Sequence, residues 1–316
     1  FLPPVLHTEK GETVLDFGQN MTGWVEFAVN EPAGREVVLT YGEVLQDGCF
    51  YRDNLRTAKA EYRYLSAGQP AWVRPRFTFY GFRYVKVEGL DTVRPEDFTA
   101  WHIRSDIDPI GSIETADARV NQLFHNAMWG QFDNFLDVPT DCPQRDERLG
   151  WTGDAAIISA TACKNIYMPA FFHHFIFNVG QEEKAFDGVV PIFVPMLKVP
   201  EGQKEPFDEL GEGRGCAIWS DVATIMPWNV YENYGDLAQL RREYPIMKTW
   251  VESIRKDDMA DGDRGLWLRG RQLGDWLALD REDGDTQNPF GATDLTYTAT
   301  AFYYYSASLT AKAAKA

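Results

Sequence analysis

Hydrophobic and polar positions alternate with a period of two through the first hundred residues, and recur every three to four residues through the remainder. Residues 13–17, 23–29, 36–41, 60–65 and 83–88 are short runs rich in β-branched and aromatic side chains. Turn-forming sequences separate them: Gly18-Gln-Asn20, Glu31-Pro-Ala-Gly34, Asp47-Gly48 and Ala67-Gly68. With no helical period in between, these strands are expected to pair antiparallel, and two sheets are expected to close a jelly-roll-like β-sandwich over residues 1–108. Trp24, Tyr80 and Trp101 would stack on sugar if they were exposed. Aromatics on strands more often pack against the facing sheet, so a domain that braces its neighbour is the favoured reading.

Asp106-Ile-Asp-Pro-Ile-Gly111 punctuates the chain, and the pattern from 109 to 316 is helical. With Thr115 as cap and Asp117 in the first turn, Val120, Leu123, Phe124, Ala127, Met128 and Phe135 predict a helix of about twenty residues that stops before Pro139. Residues 155–163 are small or apolar throughout, which predicts a helix buried on most sides. Further helices are expected over 169–179 and over 220–234, the latter stopped by Gly235. Two more stretches run from 236 to 256, divided at Pro245, and a last helix starts after Thr293 and continues to Ala316. Helix pairs joined by long aromatic-rich loops predict an α/α toroid whose loops line a cleft at one end. An (α/α)6 barrel takes twelve helices and about six are visible, so the helical part is expected to be an incomplete barrel, truncated within a helix.

With 316 residues, 44% of them hydrophobic, and 10 Trp, 14 Tyr and 20 Phe, the chain has ample material for packed interiors. Its net charge of -16 argues against nucleic acid, which requires a basic face. Cys49, Cys142, Cys163 and Cys216 are widely spaced without a C-x-x-C pair and are expected to be free thiols. No apolar run is long enough for a membrane span, so no membrane partner is expected. Phe1-Leu-Pro-Pro lacks a methionine and a signal-peptide pattern, so the sequence is expected to begin within a longer one. Location, with a lean towards the cytoplasm, and oligomeric state are left open.

The chemistry gathers between the two parts, in Asp137-Val-Pro-Thr-Asp141-Cys-Pro-Gln-Arg145-Asp146-Glu147-Arg-Leu-Gly-Trp151-Thr-Gly-Asp154. Five carboxylates, two arginines and an indole fall within eighteen residues. Indoles stack on the C–H faces of sugars, and carboxylates and guanidinium groups bind hydroxyls in pairs. Crowded carboxylates also repel, so one of them should hold a proton more readily than it would alone, as glycosidic bond cleavage requires. A structural knot of ion pairs is the plainer alternative. The histidines give no metal or nucleophile pattern: His173 and His174 are adjacent and face apart, while His7, His102 and His125 are isolated. No metal and no cofactor are expected.

The stretch Asp141-Cys-Pro-Gln-Arg-Asp-Glu-Arg-Leu-Gly-Trp-Thr-Gly-Asp154 resembles the catalytic signature of the bacterial α-L-rhamnosidases, glycoside hydrolase family 78. Asp16-Phe-Gly-Gln-Asn-Met-Thr-Gly-Trp24 and Arg74-Pro-Arg-Phe-Thr-Phe-Tyr-Gly-Phe-Arg-Tyr84 are similar to the β-domain that precedes the barrel there. Asp187-Gly-Val-Val-Pro191, Trp219-Ser-Asp221, Pro227-Trp228 and Gly274-Asp-Trp-Leu277 extend the likeness. The resemblance implies an inverting glycosidase that removes terminal α-L-rhamnose, with Glu147 as general acid and the general base on a later part of the barrel. It further implies Asp141, Arg145, Asp146 and Asp154 on rhamnose hydroxyls, Trp151 under the sugar face, and Trp219 and Trp276 completing an aromatic wall. Asp146 and Asp154 would supply the like charge that keeps Glu147 protonated, with Arg145 opposing it. Asp221 and Asp275 are read as supporting groups or helix caps. A non-catalytic carbohydrate-binding protein, or an α/α-toroid glycosidase with another deoxysugar preference, would carry many of the same residues.

Overall fold

The computed structural model describes residues 2–196, 215–278, 280 and 288–316. The chain divides into two compact units, one of residues 1–106 and 113–148, the other of residues 107–112 and 149–316.

The first unit is an antiparallel sheet with the strand order β1-β2-β8-β3-β6. Its strands are β1 (Val5–His7), β2 (Thr13–Val29), β3 (Glu36–Gly42), β6 (Glu61–Leu65) and β8 (Tyr80–Glu88), with β7 (Ala71–Val73) and β9 (Phe98–His102) both joined to β2. A separate hairpin, β4 (Val44–Gln46) with β5 (Cys49–Tyr51), turns at Asp47-Gly48. Both turn residues have positive φ, 51° and 71°, which is why an Asp-Gly pair stands there.

Runs 13–17 and 23–29, expected as two strands, are one continuous strand. Its register shifts between Asp16 and Met21 instead of breaking, with Gly18 at φ 77°. Arg83 holds the bulge by donating two hydrogen bonds to Asp16, at 2.8 and 2.9 Å, and this contact keeps the Asp16 carboxyl below its usual range. The first half of β2 pairs with β1 and β8, the second half with β9 and β7.

In a flat sheet of this order β2 and β6 would lie about 14 Å apart, three strand spacings. Yet Phe27 of β2 meets Tyr62 of β6 edge to face, with ring centroids 6.2 Å apart. The sheet therefore folds back on itself around one core that includes Leu15, Val25, Phe27, Leu39, Tyr41, Phe82 and Phe98. This is the expected sandwich, built from a single curled sheet. Tyr80 belongs to that core, stacked on Tyr41 at 3.9 Å, and is not a free sugar platform.

Helix α1 (Ala118–Asn134) closes this unit. Asp117 caps it by accepting from the Arg119 backbone N–H, where Thr115 was expected. Thr115 lies outside the helix, its hydroxyl accepting from the Asp117 N–H.

The second unit is helical: α2 (Thr152–Asn165), α3 (Pro169–Ala185), α4 (Val222–Tyr234), α5 (Leu237–Ala260) and α6 (Leu295–Lys315). Helix α4 is the hub, packing against α2, α3, α5 and α6. It ends at Gly235, which takes the left-handed conformation with φ 71°. Helix α5 runs through Pro245 without dividing, against the sequence expectation. Its buried stripe, Leu240, Glu243, Met247, Trp250, Ile254 and Asp258, keeps helical spacing across the proline, so packing on both sides offsets the missing backbone bond. This helical unit, with α2–α6, is the expected incomplete (α/α)6 barrel.

Candidate functional site

The predicted site residues divide between the two units. In the first, Phe135–Leu136 (β10) and Val138–Pro139 (β11) pair as a minimal hairpin around Asp137, whose φ is 67°. The chain that leaves this hairpin lies on the β-sheet. Gly81 of β8 is where Gln144 rests: a Cβ there would stand 2.6 Å from Gln144 Cβ. Just before Gly81, Phe79 stacks on the Arg148 guanidinium at 4.3 Å and accepts a hydrogen bond from its Nη2 through the backbone carbonyl, 2.8 Å away. The Phe-Tyr-Gly sequence at 79–81 is thus the seat of the acidic run.

Glu147 is mostly buried and held on one oxygen. Arg145 Nε donates to its Oε2 at 2.8 Å and Arg56 Nη1 to the same atom at 2.9 Å. Asp146, exposed and one residue away, turns from Glu147 and accepts instead from the Thr57 hydroxyl, which keeps its carboxyl low. The carboxylate that faces Glu147 is Asp141: one oxygen of each, with the Cys142 Sγ, lie within 4.8 Å of one another.

Burial pushes Asp141 up to about 6; the Cys142 thiol pulls it down and the Glu147 charge raises it. Asp141 Oδ1 is buried and accepts no hydrogen bond among the described residues. Burial, with Asp141 beside it, pushes the Cys142 thiol up to about 12, so it stays protonated at neutral pH. The three atoms are close enough to reach one cation, but a protonated thiol is a poor ligand and Arg145 already supplies positive charge there.

Arg56 and Thr57 were not found from sequence. They lie 91 and 89 residues from their partners, on the loop after a short 3-10 turn at Asp53–Leu55, and no local pattern marks them. Arg56 has φ 56°, a strained conformation for a long side chain.

In the second unit, Trp151 stands at the amino end of α2 and Asp154 is exposed in its first turn. Trp151 meets Phe193 edge to face at 5.4 Å and shares a cluster with Ile192, Cys216, Trp219 and Leu273. Gly153 lets Trp219 lie against the start of α2, since a Cβ there would be 2.7 Å from the indole Cδ2. Trp151 and Trp219 are 7% and 9% exposed, Trp276 is 38% exposed, and so Trp276 offers the most free ring surface of the three. Trp276 is steadied by Phe290 at 5.8 Å.

Asp221 is completely buried at the start of α4. Its carboxylate accepts from Trp250 Nε1 at 2.9 Å, Ser306 Oγ at 2.5 Å and the Ile218 backbone N–H at 2.8 Å. It is therefore a tie between α4, α5, α6 and the turn that carries Trp219, and its side chain caps no helix.

The chain matches two families: the bacterial alpha-L-rhamnosidase 6 hairpin glycosidase domain over residues 108–316, and the bacterial alpha-L-rhamnosidase concanavalin-like domain over residues 6–104. It is 36% identical over 309 residues to an alpha-L-rhamnosidase from Alteromonas sp. (strain LOR), a match that covers 96% of this chain and 32% of that protein. The crystal structure of native alpha-L-rhamnosidase from Aspergillus terreus superposes with a TM-score of 0.84 at 31% identity, covering 99% of this chain and 35% of the other. The Streptomyces avermitilis alpha-L-rhamnosidase complexed with L-rhamnose gives 0.83 at 34% identity, covering 99% and 28%. The chain thus spans about a third of the length of the relatives it matches.

Proposed function

Because the chain belongs to the bacterial alpha-L-rhamnosidase family, we propose that the complete polypeptide carrying it removes terminal α-L-rhamnose from glycosides or polysaccharides, with Glu147 as general acid. The observation that carries this reading is the pairing of Glu147 with the half-buried Asp141. Burial, with the Glu147 charge beside it, pushes Asp141 up to about 6, so Asp141 holds a proton below that pH. Both guanidinium contacts use Glu147 Oε2, so Oε1 is the oxygen assigned to hand a proton to the leaving group. As the C–O bond breaks, the proton passes to the departing oxygen, while a second carboxylate activates water on the opposite face of the sugar, about 6.5–9.5 Å away. None of the residues assigned here supplies that base. Within the first unit Asp141, Arg145 and Asp146 are assigned to hydroxyls; within the second, Asp154 is assigned to a hydroxyl and Trp151, Trp219 and Trp276 to the aromatic wall.

Hydrolysis of an aryl α-L-rhamnoside, followed by NMR from the first turnover, tests this. The expected first product is β-rhamnose. Release of α-rhamnose would refute inversion. Sugar binding without turnover of any rhamnoside would favour the non-catalytic carbohydrate-binding alternative.

A further inference from the structure

Of the strand aromatics that would stack on sugar if exposed, Tyr80 is in the core and Trp24 is half-buried, but Trp101 is 47% exposed. Trp72, on β7, is 59% exposed. Register places both on one face of the sheet. Val25 and Phe27 of β2, Val73 of β7 and Phe98 of β9 belong to the core, so the residues that alternate with them point outwards. Two indoles on one outer face make a patch, which single exposed side chains do not.

Trp72 stands opposite Ala28, and Trp101 opposite Trp24. The indoles thus flank β2 on opposite sides, offset by the distance from position 24 to position 28, which separates them by roughly 17 Å. Between them lie Glu26 of β2 and Thr99 of β9, opposite each other in register. Trp101 Nε1 donates to Glu26 Oε2 at 3.1 Å, which fixes that ring, while Glu26 Oε1 makes no hydrogen bond among the described residues. Arg74, exposed just past β7, sits 5.9 Å over the Trp24 ring.

The order along this face is indole, then carboxylate and hydroxyl, then indole. A dry protein contact or a lipid surface would cover the rings but take Glu26 out of water without a new donor. The net charge of -16 also disfavours an anionic membrane and an acidic glycan. A neutral sugar chain suits every part of the face, because pyranose C–H faces cover indoles and hydroxyls donate to a carboxylate. The span exceeds one sugar ring, so the fit is to a chain.

We propose that the outer face of β7, β2 and β9 binds an uncharged polysaccharide, with Trp72 and Trp101 under sugar rings and Glu26 and Thr99 on the hydroxyls between them. None of these residues belongs to the acidic run or to the aromatic wall, so the proposal stands whether or not Glu147 cleaves a glycosidic bond.

Affinity electrophoresis of the complete polypeptide, in gels that contain a neutral galactan or hydroxyethylcellulose, tests it. At least one of the two should retard the protein. Trp72→Ala and Trp101→Ala should each raise the dissociation constant about tenfold, and the double variant should migrate as it does without polysaccharide. Because the rings removed are exposed, urea midpoints of the variants should match the wild type. Should a variant fail to fold, the wild type still decides: the retarding polysaccharide should shield tryptophan fluorescence from acrylamide. Retardation in neither gel, retardation kept by the double variant, or no shielding would overturn the proposal. Equal retardation by polygalacturonate would overturn the uncharged assignment. A double variant with a lowered urea midpoint, or one that sediments as a smaller species than the wild type, would show that protein covers this face and would overturn it as well.

Discussion

Asp141 and Asp221 are both pushed up to about 6, both chiefly by burial, yet their surroundings have little else in common. Asp221 has a full set of fixed donors from a tryptophan, a serine and a backbone N–H. Asp141 has a buried oxygen without a hydrogen-bond partner among the described residues, and a second carboxylate beside it. The first arrangement is satisfied and immobile, and its carboxylate has nothing left to offer a ligand. The second is unsatisfied and gains from a hydroxyl that enters. A raised pKa alone does not distinguish a structural carboxylate from a reactive one; the count of donors around it does.

The largest effect expected from this contrast is on chemistry. Glu147→Gln should lower rhamnoside turnover by about 10³-fold, the scale of removing a general acid, while rhamnose affinity stays within a few-fold. A variant with near wild-type turnover would show that Asp141 and Glu147 are as structural as Asp221.

Next comes Asp221→Ala, expected to cost about 3 kcal/mol of stability by taking the acceptor from the buried Trp250 N–H, the Ser306 hydroxyl and the part-buried Ile218 N–H, measured by urea unfolding. Its pH dependence has a definite sign. The folded value, about 6, lies above the ordinary 3.8, so the native state binds the proton more tightly. The stability this contributes is fully present below pH 3.8 and is lost as pH rises to about 6, on the order of 2–3 kcal/mol. Asp221→Asn has no proton to lose and should flatten this slope. A slope unchanged in that variant would assign it elsewhere.

Much of this was legible in the sequence, because it depends on local pattern. Strands of alternating side chains, the Asp47-Gly48 hairpin and the Gly235 stop were found where residue type dictates φ and ψ. What sequence reading missed is long-range. Pro245 and the Gly18 bulge were taken as breaks, and tertiary packing carries the helix and the strand through them. Asp146 was expected, with Asp154, to supply like charge to Glu147, but its carboxylate accepts from Thr57, and the carboxylate beside Glu147 is Asp141. Arg56 and Thr57 came from a loop about ninety residues away, with no period or motif to announce them.

Two glycines separate the regions at the next level of effect. Gly81→Ala would drive a methyl against the Gln144 backbone, 2.8 Å from its Cα, and Gly153→Ala would drive one into the Trp219 ring at 2.7 Å. Each should cost about 1–3 kcal/mol of stability. Gly81→Ala should also lower kcat by shifting the run that carries Glu147, whereas Gly153→Ala should act mainly on KM through the aromatic wall. Steady-state kinetics at saturating substrate separates the two. Identical kcat and KM changes would argue against this division of labour.

The smallest effect probes the far end of the helix that Asp221 starts. Gly235 has φ 71° and its added Cβ would meet nothing within 4 Å, so Gly235→Ala isolates backbone strain from packing. The expected cost is about 1 kcal/mol, the difference between alanine and glycine in the left-handed region. Since the change leaves the Trp250–Asp221–Ser306 contacts untouched, the loss should be the same at pH 4 and pH 7. Urea unfolding at both values measures it. A loss that grows with pH would mean that strain at one end of α4 reaches the buried carboxylate at the other, and that the hub helix responds as one body.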